Sequence, residues 1–344
     1  NEYEEILTSV FSYIEMIKAE GYQSFIFSES KVLAELEEQY SDKGEGAGVA
    51  VELANNLAFY PMEDAERIKY IFEVENESLY LNLLSYIRPD NMLATLSGYE
   101  VQTDSVEPWY SAKYSYSKVY NDLYKQLKSP PKIEELKLPT ANPFMPTSTG
   151  IHSIKNANRI ELLQNSGGLK LYHSRDTEFK RPKASLKYKV NFSNKINSLE
   201  NTVLMDLYIS TVNESLNEIG YPAYLAGMEY SITNSAEGIN ITVSGYDSAL
   251  ERLLDVIIEN IKHVNISEKH YSVIVDAMKR KLENSSLDDA YKIARRYSAE
   301  ITNETFYSPE EKLTILENFT LVDIKSFPKK MFKGVYIEGF AHGN

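Results

Sequence analysis

Apolar residues recur every three or four positions along residues 5–17, and the same spacing returns along residues 251–264. This period places them on one face of an amphipathic helix in each segment. A second helix follows each of these after a short connector, and it begins near an aromatic residue, Phe25 in the first segment and Tyr271 in the second. The shared order predicts that both stretches form the same pair of helices.

The two helix pairs open two copies of one half-domain. The first copy runs from residue 5 to residue 99 and the second from residue 251 to residue 344, and each closes in an apolar strand that runs into a glycine. A repeat of this length indicates a domain-scale duplication, because solenoid repeats are much shorter. The sequence starts inside one copy and stops at the end of the other. We therefore expect it to be a piece of a larger protein.

Alternating apolar and polar residues predict antiparallel strands in the second half of the chain. Arg159–Leu163 and Lys170–His173 flank a turn rich in Asn, Ser and Gly, which is a hairpin signal. Ser185–Phe192 alternates as a half-buried strand. Tyr230–Thr233 and Ile239–Val243 are expected to pair around another short turn.

Long helices accompany these strands. Apolar residues spaced along 204–219 predict one helix that ends at Gly220, and the second helix pair follows the strands. Antiparallel strands with helices grouped after them indicate an α+β fold. We expect duplicated half-domains whose antiparallel sheets are covered on one face by helices.

Residues 1–104 read mainly as helices. The glycine-rich run 43–48 lacks the strand, the helix and the Lys-Ser/Thr pair of a phosphate loop, and so predicts a flexible turn. Pro61 is expected to start a further helix, because its fixed φ suits the first helical turn. A turn at Pro89 then leads into a predicted strand at Met92–Leu96.

Residues 105–154 differ in composition from the segments on either side. They open with a cluster of large aromatic residues, Trp109, Tyr110, Tyr114 and Tyr116. Three prolines within residues 139–146 exclude a helix there. Leu138, Phe144 and Met145 are apolar anchors that can be buried. The segment is therefore predicted to be an ordered linker, with a complete domain at 155–344 after it.

Composition and charge exclude several classes of partner and of site. At 344 residues the chain is long enough for two domains of roughly 150 residues each. A net charge of −14 argues against nucleic acid and against an anionic membrane surface, so neither is expected as a partner. The absence of cysteine excludes disulfides, a thiolate nucleophile and cysteine-based zinc sites. No apolar run approaches the roughly 20 residues that span a bilayer, and the localisation stays open.

Candidate chemistry is sparse. The five histidines are His152, His173, His263, His270 and His342, and neither HExxH nor HxxEH occurs. His173 lies in the sequence HSRDT, but neighbours in sequence rarely form a catalytic triad, whose members come from distant segments. We expect His173 at a strand end or surface, His270 in solvent on a helix, and His342 in a structural role. By motif alone we assign no catalytic, cofactor-binding or metal-binding residue.

Seven short segments of the chain carry recognisable motifs, and the order of these motifs along the chain is itself informative. Leu138–Thr147 reads LPTANPFMPT and Glu107–Tyr110 reads EPWY. Others are YI with AEG in 13–21, DTEFKRPK in 176–183, LAGMEY in 225–230, SGY in 244–246 and HGN in 342–344. They resemble LPxxNxFxPT, EEWYGTxY, YIxxLRAEG, DDxFxxPK, LAGLSY, KGY and HGN of the insulin-degrading enzyme and pitrilysin (insulinase) family of zinc metallopeptidases. Together these motifs cover essentially the whole chain.

The resemblance implies four homologous α+β domains of the LuxS/MPP-like metallopeptidase type. They form two halves that close around a peptide-sized chamber. Residues 1–104 would be the second half of domain two, residues 105–154 would contain the connection between the halves, and residues 155–344 would be domain three. The internal duplication is what such an architecture requires.

The family's catalytic residues lie outside these 344 residues. In the family, HxxEH in domain one supplies two zinc-binding His and a Glu that activates water, and a downstream Glu completes the site. An Arg and a Tyr seven residues apart in the last domain help to bind substrate. Arg181 and Tyr188 reproduce that spacing in a different domain, and residues seven apart in a strand point to opposite faces. We therefore assign none of the family's catalytic or zinc-binding roles to a residue of this chain. We expect zinc in the full-length protein and none in this chain.

The leading hypothesis is a non-catalytic middle section of a zinc metalloendopeptidase. It would form a chamber wall and hold the hinge between the halves. Its partners would be peptide substrates and the missing N-terminal zinc-bearing and C-terminal domains. Exposed strand edges would accept extended peptide by strand addition. The aromatic cluster at 109–116 is expected to pack at an inter-domain seam, with chamber lining as the alternative.

Two other functions remain open. The parent protein would be a catalytically inactive relative that acts as a structural or processing-partner subunit, if its zinc motif has decayed. A helical adaptor built from two repeats is the third possibility, and the strand-rich stretch 159–243 counts against it.

Overall fold

The computed structural model describes residues 2–40, 44–118, 121–151, 159–193, 198–235 and 237–344. The chain divides into two compact units, Asn1–Ala141 and Asn142–Asn344. This division falls before residue 155, the predicted start of the last domain. The family domain boundaries at 104 and 154 remain predictions.

The first unit is mostly helical. Its elements are α1 (Glu2–Glu20), α2 (Ser24–Tyr40), α3 (Gly46–Leu57), α4 (Glu77–Ser85), β1 (Ser105–Val106), β2 (Lys113–Tyr114) and α5 (Asp122–Lys128), with short 3₁₀ turns at Ile68–Tyr70 and Pro89–Asn91. Local chemistry sets the helix ends. Gly21, at φ +74°, donates its N–H to the carbonyl of Ile17 and ends α1. The side chain of Asn76 accepts the N–H of Leu79 at 2.8 Å and begins α4.

Three expectations for this unit are corrected. Residues 46–48 begin α3 instead of forming a flexible turn, and Lys43 lies outside the described residues. Pro61 opens a series of turns rather than a helix. Met92–Leu96 is not a strand, because a strand is defined by its pairing and no neighbouring strand lies along it within the described part of the chain.

The second unit combines strands and helices. Its elements are β3 (Glu161–Ser166), β4 (Leu169–Arg175), β5 (Lys183–Asn191), α6 (Leu199–Ser215), α7 (Asn217–Leu225), β6 (Glu229–Ser235), β7 (Gly238–Tyr246), α8 (Asp247–Lys262), α9 (Glu268–Glu283), α10 (Ala290–Thr302), α11 (Pro309–Leu316), α12 (Leu321–Met331) and β8 (Tyr336–Gly343). A 3₁₀ turn at Asn284–Leu287 separates α9 from α10.

The strands of the second unit form one sheet, which we call the main sheet. Among the described residues its order is β3-β4-β8-β5-β7-β6. Both predicted hairpins are present, β3 with β4 and β6 with β7. Gly167 and Gly168 adopt φ +63° and +81° at the first turn, the left-handed conformation that a tight hairpin turn requires.

The main sheet is mixed, which corrects the expectation of a purely antiparallel sheet. β8 lies between β4 and β5, parallel to the first and antiparallel to the second. The other neighbouring strands pair antiparallel, as predicted. A parallel neighbour needs a long crossover connection, and all of the helices from α6 to α12 lie between β4 and β8 along the chain.

The core of the second unit lies between helices and one face of the main sheet. Val190, Ile232, Ile239, Ile241 and Val243 contribute from the strands. The helices contribute many of the largest fully buried side chains, among them Tyr208, Met205, Leu253, Ile257, Ile324 and Phe327. The predicted helix at 204–219 is interrupted at Leu216, and α7 continues through Gly220, so the predicted end was wrong.

The segment after residue 141 is held by side chains of the second unit. Phe144 is 2% exposed and belongs to the core. Asn142 Nδ2 donates to the carbonyl of Pro222 at 2.8 Å, and the N–H of Thr147 donates to Ser248 Oγ at 3.2 Å. These contacts support an ordered path along this part of the predicted linker. None of the described helices is long and apolar enough to cross a membrane.

Candidate functional site

One pocket lies where β4 and β8 end and β5 begins. It has a volume of about 230 Å³ and is lined by His173, Arg175, Asp247, His342 and Asn344, among others. The parallel register pairs His173 with Ala341 and Ser174 with His342. Successive residues of a strand point to opposite faces, so the two imidazoles leave opposite faces of the main sheet. The structure brings these two histidines close in space without directing them at one point.

Asp176 is committed to the backbone of the turn that follows β4. Its carboxylate accepts the N–H groups of Glu178, Phe179 and Lys180 at 3.0, 3.1 and 2.9 Å. Burial alone would raise the pKa of Asp176, but these three donors and the nearby His342 hold that pKa below its usual range. The Ser, His and Asp of the HSRDT segment therefore do not form a catalytic triad.

His263 and His270 lie on two different helices. His263 ends α8 and His270 lies in the first turn of α9, and both are exposed. His152 lies outside the described residues. Within the ranges that the structure covers, no three His, Asp or Glu side chains are placed to hold one metal ion. The donors among these described residues therefore do not fit a zinc site.

Arg181 and Tyr188 do not converge. Arg181 precedes β5, and its guanidinium lies over the ring of Phe179 at 5.5 Å from the centroid. Tyr188 lies within β5 and packs against the core under the helices, where burial raises the pKa of its hydroxyl. Arg181 and Tyr188 are seven residues apart in the sequence, but they do not form a common site in the structure.

A groove of about 390 Å³ lies beside the end of β6. Thr202 and Asp206 of α6 form one wall, and Asn234 and Ser235 of β6 form another. The remaining lining comes from the segment 303–307 and from Lys312 at the start of α11. The groove is a concave surface next to the edge of the main sheet that β6 forms.

An ion pair fixes the chemistry of this groove. Lys312 Nζ lies 2.8 Å from Asp206 Oδ2, with only 22% and 23% of the two side chains exposed. Asn234 Nδ2 donates to the other oxygen, Asp206 Oδ1. Both carboxylate oxygens are therefore engaged and the charges of the pair cancel. The groove offers a neutral, polar and partly aromatic surface.

The predicted aromatic cluster lies on and near the β1–β2 hairpin. Glu107 accepts the N–H groups of both Trp109 and Tyr110 at 2.7 Å, which fixes the turn. Trp109 is 88% and Tyr110 91% exposed, and Ser111 adopts φ +56°. Tyr114 and Tyr116 are exposed as well. The hairpin thus presents large aromatic side chains from a well-defined turn.

The first unit has a second groove, between α1 and the proline-containing segment at 130–136. Its volume is also about 390 Å³. Ser12 Oγ donates to the carbonyl of Pro131 at 2.8 Å and joins the two walls. Glu15, Glu20 and Glu134 contribute to the lining. This hydrogen bond shows how the segment at 130–136 is held against α1.

Sequence reasoning missed the ion pair at Asp206. Asp206 and Lys312 are 106 positions apart, and neither stands in a recognisable motif. One local signal was present, because Ser308 and Glu311 form a capping box that fixes the start of α11 and hence the position of Lys312. Nothing in the pattern around Asp206 indicates its partner.

A family model described as the middle or third domain of peptidase_M16 matches residues 39–315. The chain belongs to the M16 peptidase family. The resemblance to insulin-degrading enzyme and pitrilysin is therefore confirmed, and the chain is a middle section of this architecture.

Relatives with curated names span the whole chain. Insulin-degrading enzyme of Homo sapiens is 29% identical over 345 residues, covering 99% of this chain and 34% of that protein. Insulin-degrading enzyme-like 2 of Arabidopsis thaliana is 26% identical over 345 residues, with 99% and 36% covered. The A-factor-processing enzyme of Saccharomyces cerevisiae is 26% identical over 347 residues, with 99% and 34% covered. The chain thus spans about a third of the length of these M16 relatives.

The crystal structure of pitrilysin matches this fold with a TM-score of 0.78 at 16% sequence identity. The match covers 100% of this chain and 37% of that one. It confirms the α+β architecture of an M16 section.

Proposed function

We propose that this chain is a non-catalytic section of a larger zinc metalloendopeptidase, in which it forms a wall of the peptide chamber and the region around the hinge. In this proposal residues 1–104 complete domain two, residues 105–154 contain the connection between the halves, and residues 155–344 are domain three. The zinc ion and the residues that activate water belong to another domain of the same protein.

The observation that carries this proposal is the face of the main sheet that points away from α6, α7 and α8. We call it the open face. One register row crosses all strands of the main sheet on this face. Its members are Leu162, Tyr172, Phe340, Lys187, Thr242 and Ser231, and each is exposed or half-buried.

The chemistry of this row suits contact with peptides of mixed sequence. Leu162, Tyr172 and Phe340 offer apolar and aromatic surface at one end. Thr242 and Ser231 offer hydroxyl groups at the other, and Lys187 adds one exposed positive charge between them. A wall of this kind makes many weak contacts and selects no single side chain, which is what a chamber for varied peptides requires.

The surface of the first unit supports the assignment of further domains as partners. Phe59 and Met62 are each 83% exposed, and the short helix α4 exposes Leu79, Leu81 and Leu83. Large apolar side chains exposed together mark surfaces that another protein surface covers. The missing first part of domain two is the partner that the proposed architecture supplies.

The proposal is tested in the full-length parent protein with peptides of two lengths. Lys187→Glu reverses one charge on the open face, and Lys269→Glu makes the same change on α9, where Lys269 is exposed. For an acidic peptide that is long enough to touch the wall, we expect Lys187→Glu to lower kcat/KM by about fivefold, equivalent to about 1 kcal/mol. A short peptide cleaved by the same enzyme should be unaffected.

Equal kcat/KM values for Lys187→Glu and Lys269→Glu with the long peptide would contradict the proposal that the open face forms a wall of the peptide chamber. A full-length parent that holds no zinc and cleaves nothing would favour the inactive-relative hypothesis. In that case the same pair of variants is compared by peptide dissociation constant.

A further inference from the structure

The outer edge of β6 differs from the other edge of the main sheet. β6 is the last strand in the sheet order, and it pairs with β7 in continuous register from Glu229–Ser244 to Ser235–Gly238. At the opposite edge, the register of β3 shifts between Leu162 and Gln164. A bulge interrupts the regular spacing of main-chain groups that a new strand needs, so β6 is the better template.

Alternate residues of β6 direct their main-chain groups away from β7. Asn213 Nδ2 donates to the carbonyl of Ile232 at 3.4 Å, which identifies Ile232 as one residue of that outward set. Tyr230 and Asn234 are each two positions from Ile232, so their main-chain N–H and C=O groups also point away from β7. Ser231, Thr233 and Asn234 are exposed residues along the second half of this edge, and Asn213 is the side chain that contacts its main chain at Ile232.

The groove adjoins this edge at Asn234 and Ser235. An extended chain beside β6 would place alternate side chains toward the groove, because side chains of a strand alternate between faces. Met205, Phe306 and Tyr307 line it together with uncharged polar residues, while the Asp206–Lys312 pair is already neutralised. A large uncharged side chain fits this lining, and a charged one would have to enter without a free counter-charge.

We infer that β6 and its adjoining groove form a peptide-binding site, in which an extended segment adds to β6 as a further strand and places a large uncharged side chain in the groove. The main-chain groups of Ile232 and Asn234 supply the hydrogen bonds, and Asn213 is displaced from the Ile232 carbonyl. Main-chain pairing gives such a site tolerance of sequence, and the groove gives it a preference at one position. The inference rests on the proposed function only in taking peptides as the ligand class.

The test uses the 344-residue chain and a fluorescent, terminally capped peptide of seven residues, alternating threonine and valine with one central tyrosine. Two N-methylated versions carry methyl groups on alternate amides, one version in each phase. Strand addition uses one phase only, so one version should bind about tenfold or more weakly and the other should bind like the parent peptide. Replacing the central tyrosine by glutamate should weaken binding to a similar degree.

A matched pair of protein variants locates the site. Asn303 lines the groove and Glu304, its neighbour, does not. Asn303→Trp should fill the groove and weaken binding of the tyrosine peptide about tenfold, while Glu304→Trp should leave it unchanged. Hydrogen exchange should also show new protection of the Tyr230, Ile232 and Asn234 amides in the complex.

Equal affinity of both N-methylated peptides, equal affinity of the two tryptophan variants, or no binding of the parent peptide would each overturn the inference. The peptide assays with N-methyl groups leave the protein unchanged, so they are independent of any folding defect. Failure here with a normal Lys187→Glu effect in the full-length enzyme would leave the proposed function standing. Binding here without any Lys187→Glu effect would reject only the chamber wall.

Discussion

The hydroxyl of Tyr208 donates a hydrogen bond to the carbonyl oxygen of Ile261. Tyr208 is fully buried in α6, and Ile261 lies in the last turn of α8. The ring of Tyr208 also packs against Phe327 of α12, with the centroids 5.0 Å apart. One side chain thus joins three helices and satisfies a carbonyl that the end of α8 leaves without a helical donor.

Tyr208→Phe should therefore destabilise the second unit while keeping its packing. Losing the hydroxyl leaves a buried carbonyl without its donor, and we expect the free energy of unfolding to fall by about 1–2 kcal/mol. Urea denaturation should show a lower midpoint at an unchanged slope. Tyr297→Phe is the matched control, because Tyr297 is 64% exposed. Equal midpoints for the two variants would show that the hydrogen bond contributes nothing to stability.

We expect the carboxylate of Asp176 to stabilise the folded chain in a way that depends on pH. Its pKa is lowered in the folded chain, so its contribution is present above the unfolded pKa of about 4 and is lost as the pH falls through the folded pKa. Asp176→Asn should cost about 2–3 kcal/mol near neutral pH, as expected for hydrogen bonds to a charged group. The difference between wild type and variant should shrink at acid pH. A difference that is constant with pH would show that the carboxylate charge is not involved.

Gly238 begins β7 at a point of close approach. A Cβ atom there would stand 1.9 Å from the carbonyl oxygen of Val190, and its φ is +157°. Gly238→Ala should therefore destabilise the second unit by about 2 kcal/mol or more, because the backbone of two strands must separate. Gly48→Ala, at an open position in α3, should instead stabilise its helix by about 0.5–1 kcal/mol. Thermal unfolding of both variants tests the pair.

Trp109 is the only tryptophan of the chain and is 88% exposed. Its emission in the 344-residue chain should be that of a solvated indole and should be quenched by acrylamide. In a longer parent protein we expect a blue shift and protection from the quencher, because the aromatic hairpin is predicted to pack at an inter-domain seam. The signal is isolated as the difference from Trp109→Phe. Solvated emission in the parent as well would favour chamber lining instead.

The 344-residue chain should neither bind zinc tightly nor cleave peptides. Its sequence contains neither HxxEH nor HExxH, so it lacks the ligands and the general base of the family's zinc site. Equilibration with zinc followed by metal analysis should give far less than one zinc per chain, and a fluorogenic peptide should stay intact. Cleavage that a chelator abolishes would overturn this expectation.

Most of the secondary structure can be predicted from local sequence signals. The glycines at 167 and 168 fix a turn that only a tight hairpin uses, and β3 and β4 were predicted from that turn and the residues around it. The helices α1 and α8 both follow from apolar spacing. In α8 this spacing matches the face that the helix buries, whereas in α1 Phe11 is buried and Ile6 and Val10 are exposed.

Long-range pairing was not predictable in the same way. Met92–Leu96 has the composition of a strand, but a strand exists only beside a partner, which composition does not reveal. The parallel pairing of β4 with β8 joins segments more than 150 positions apart in the chain, and no local pattern distinguishes it from antiparallel pairing. The groove beside β6 depends on contacts of the same kind, since Asp206 meets Lys312 across 106 positions.

The place of β8 inside the main sheet has a consequence for how the chain folds. Its eight residues, Tyr336–Gly343, separate β3 and β4 from β5, β7 and β6. During synthesis the first two strands can close only a hairpin, and the other three only a separate small sheet, until this segment leaves the ribosome. Until then, part of the apolar surface of the helices stays exposed. Addition of β8 joins the β3–β4 hairpin and the sheet of β5, β7 and β6 into a single cooperative unit.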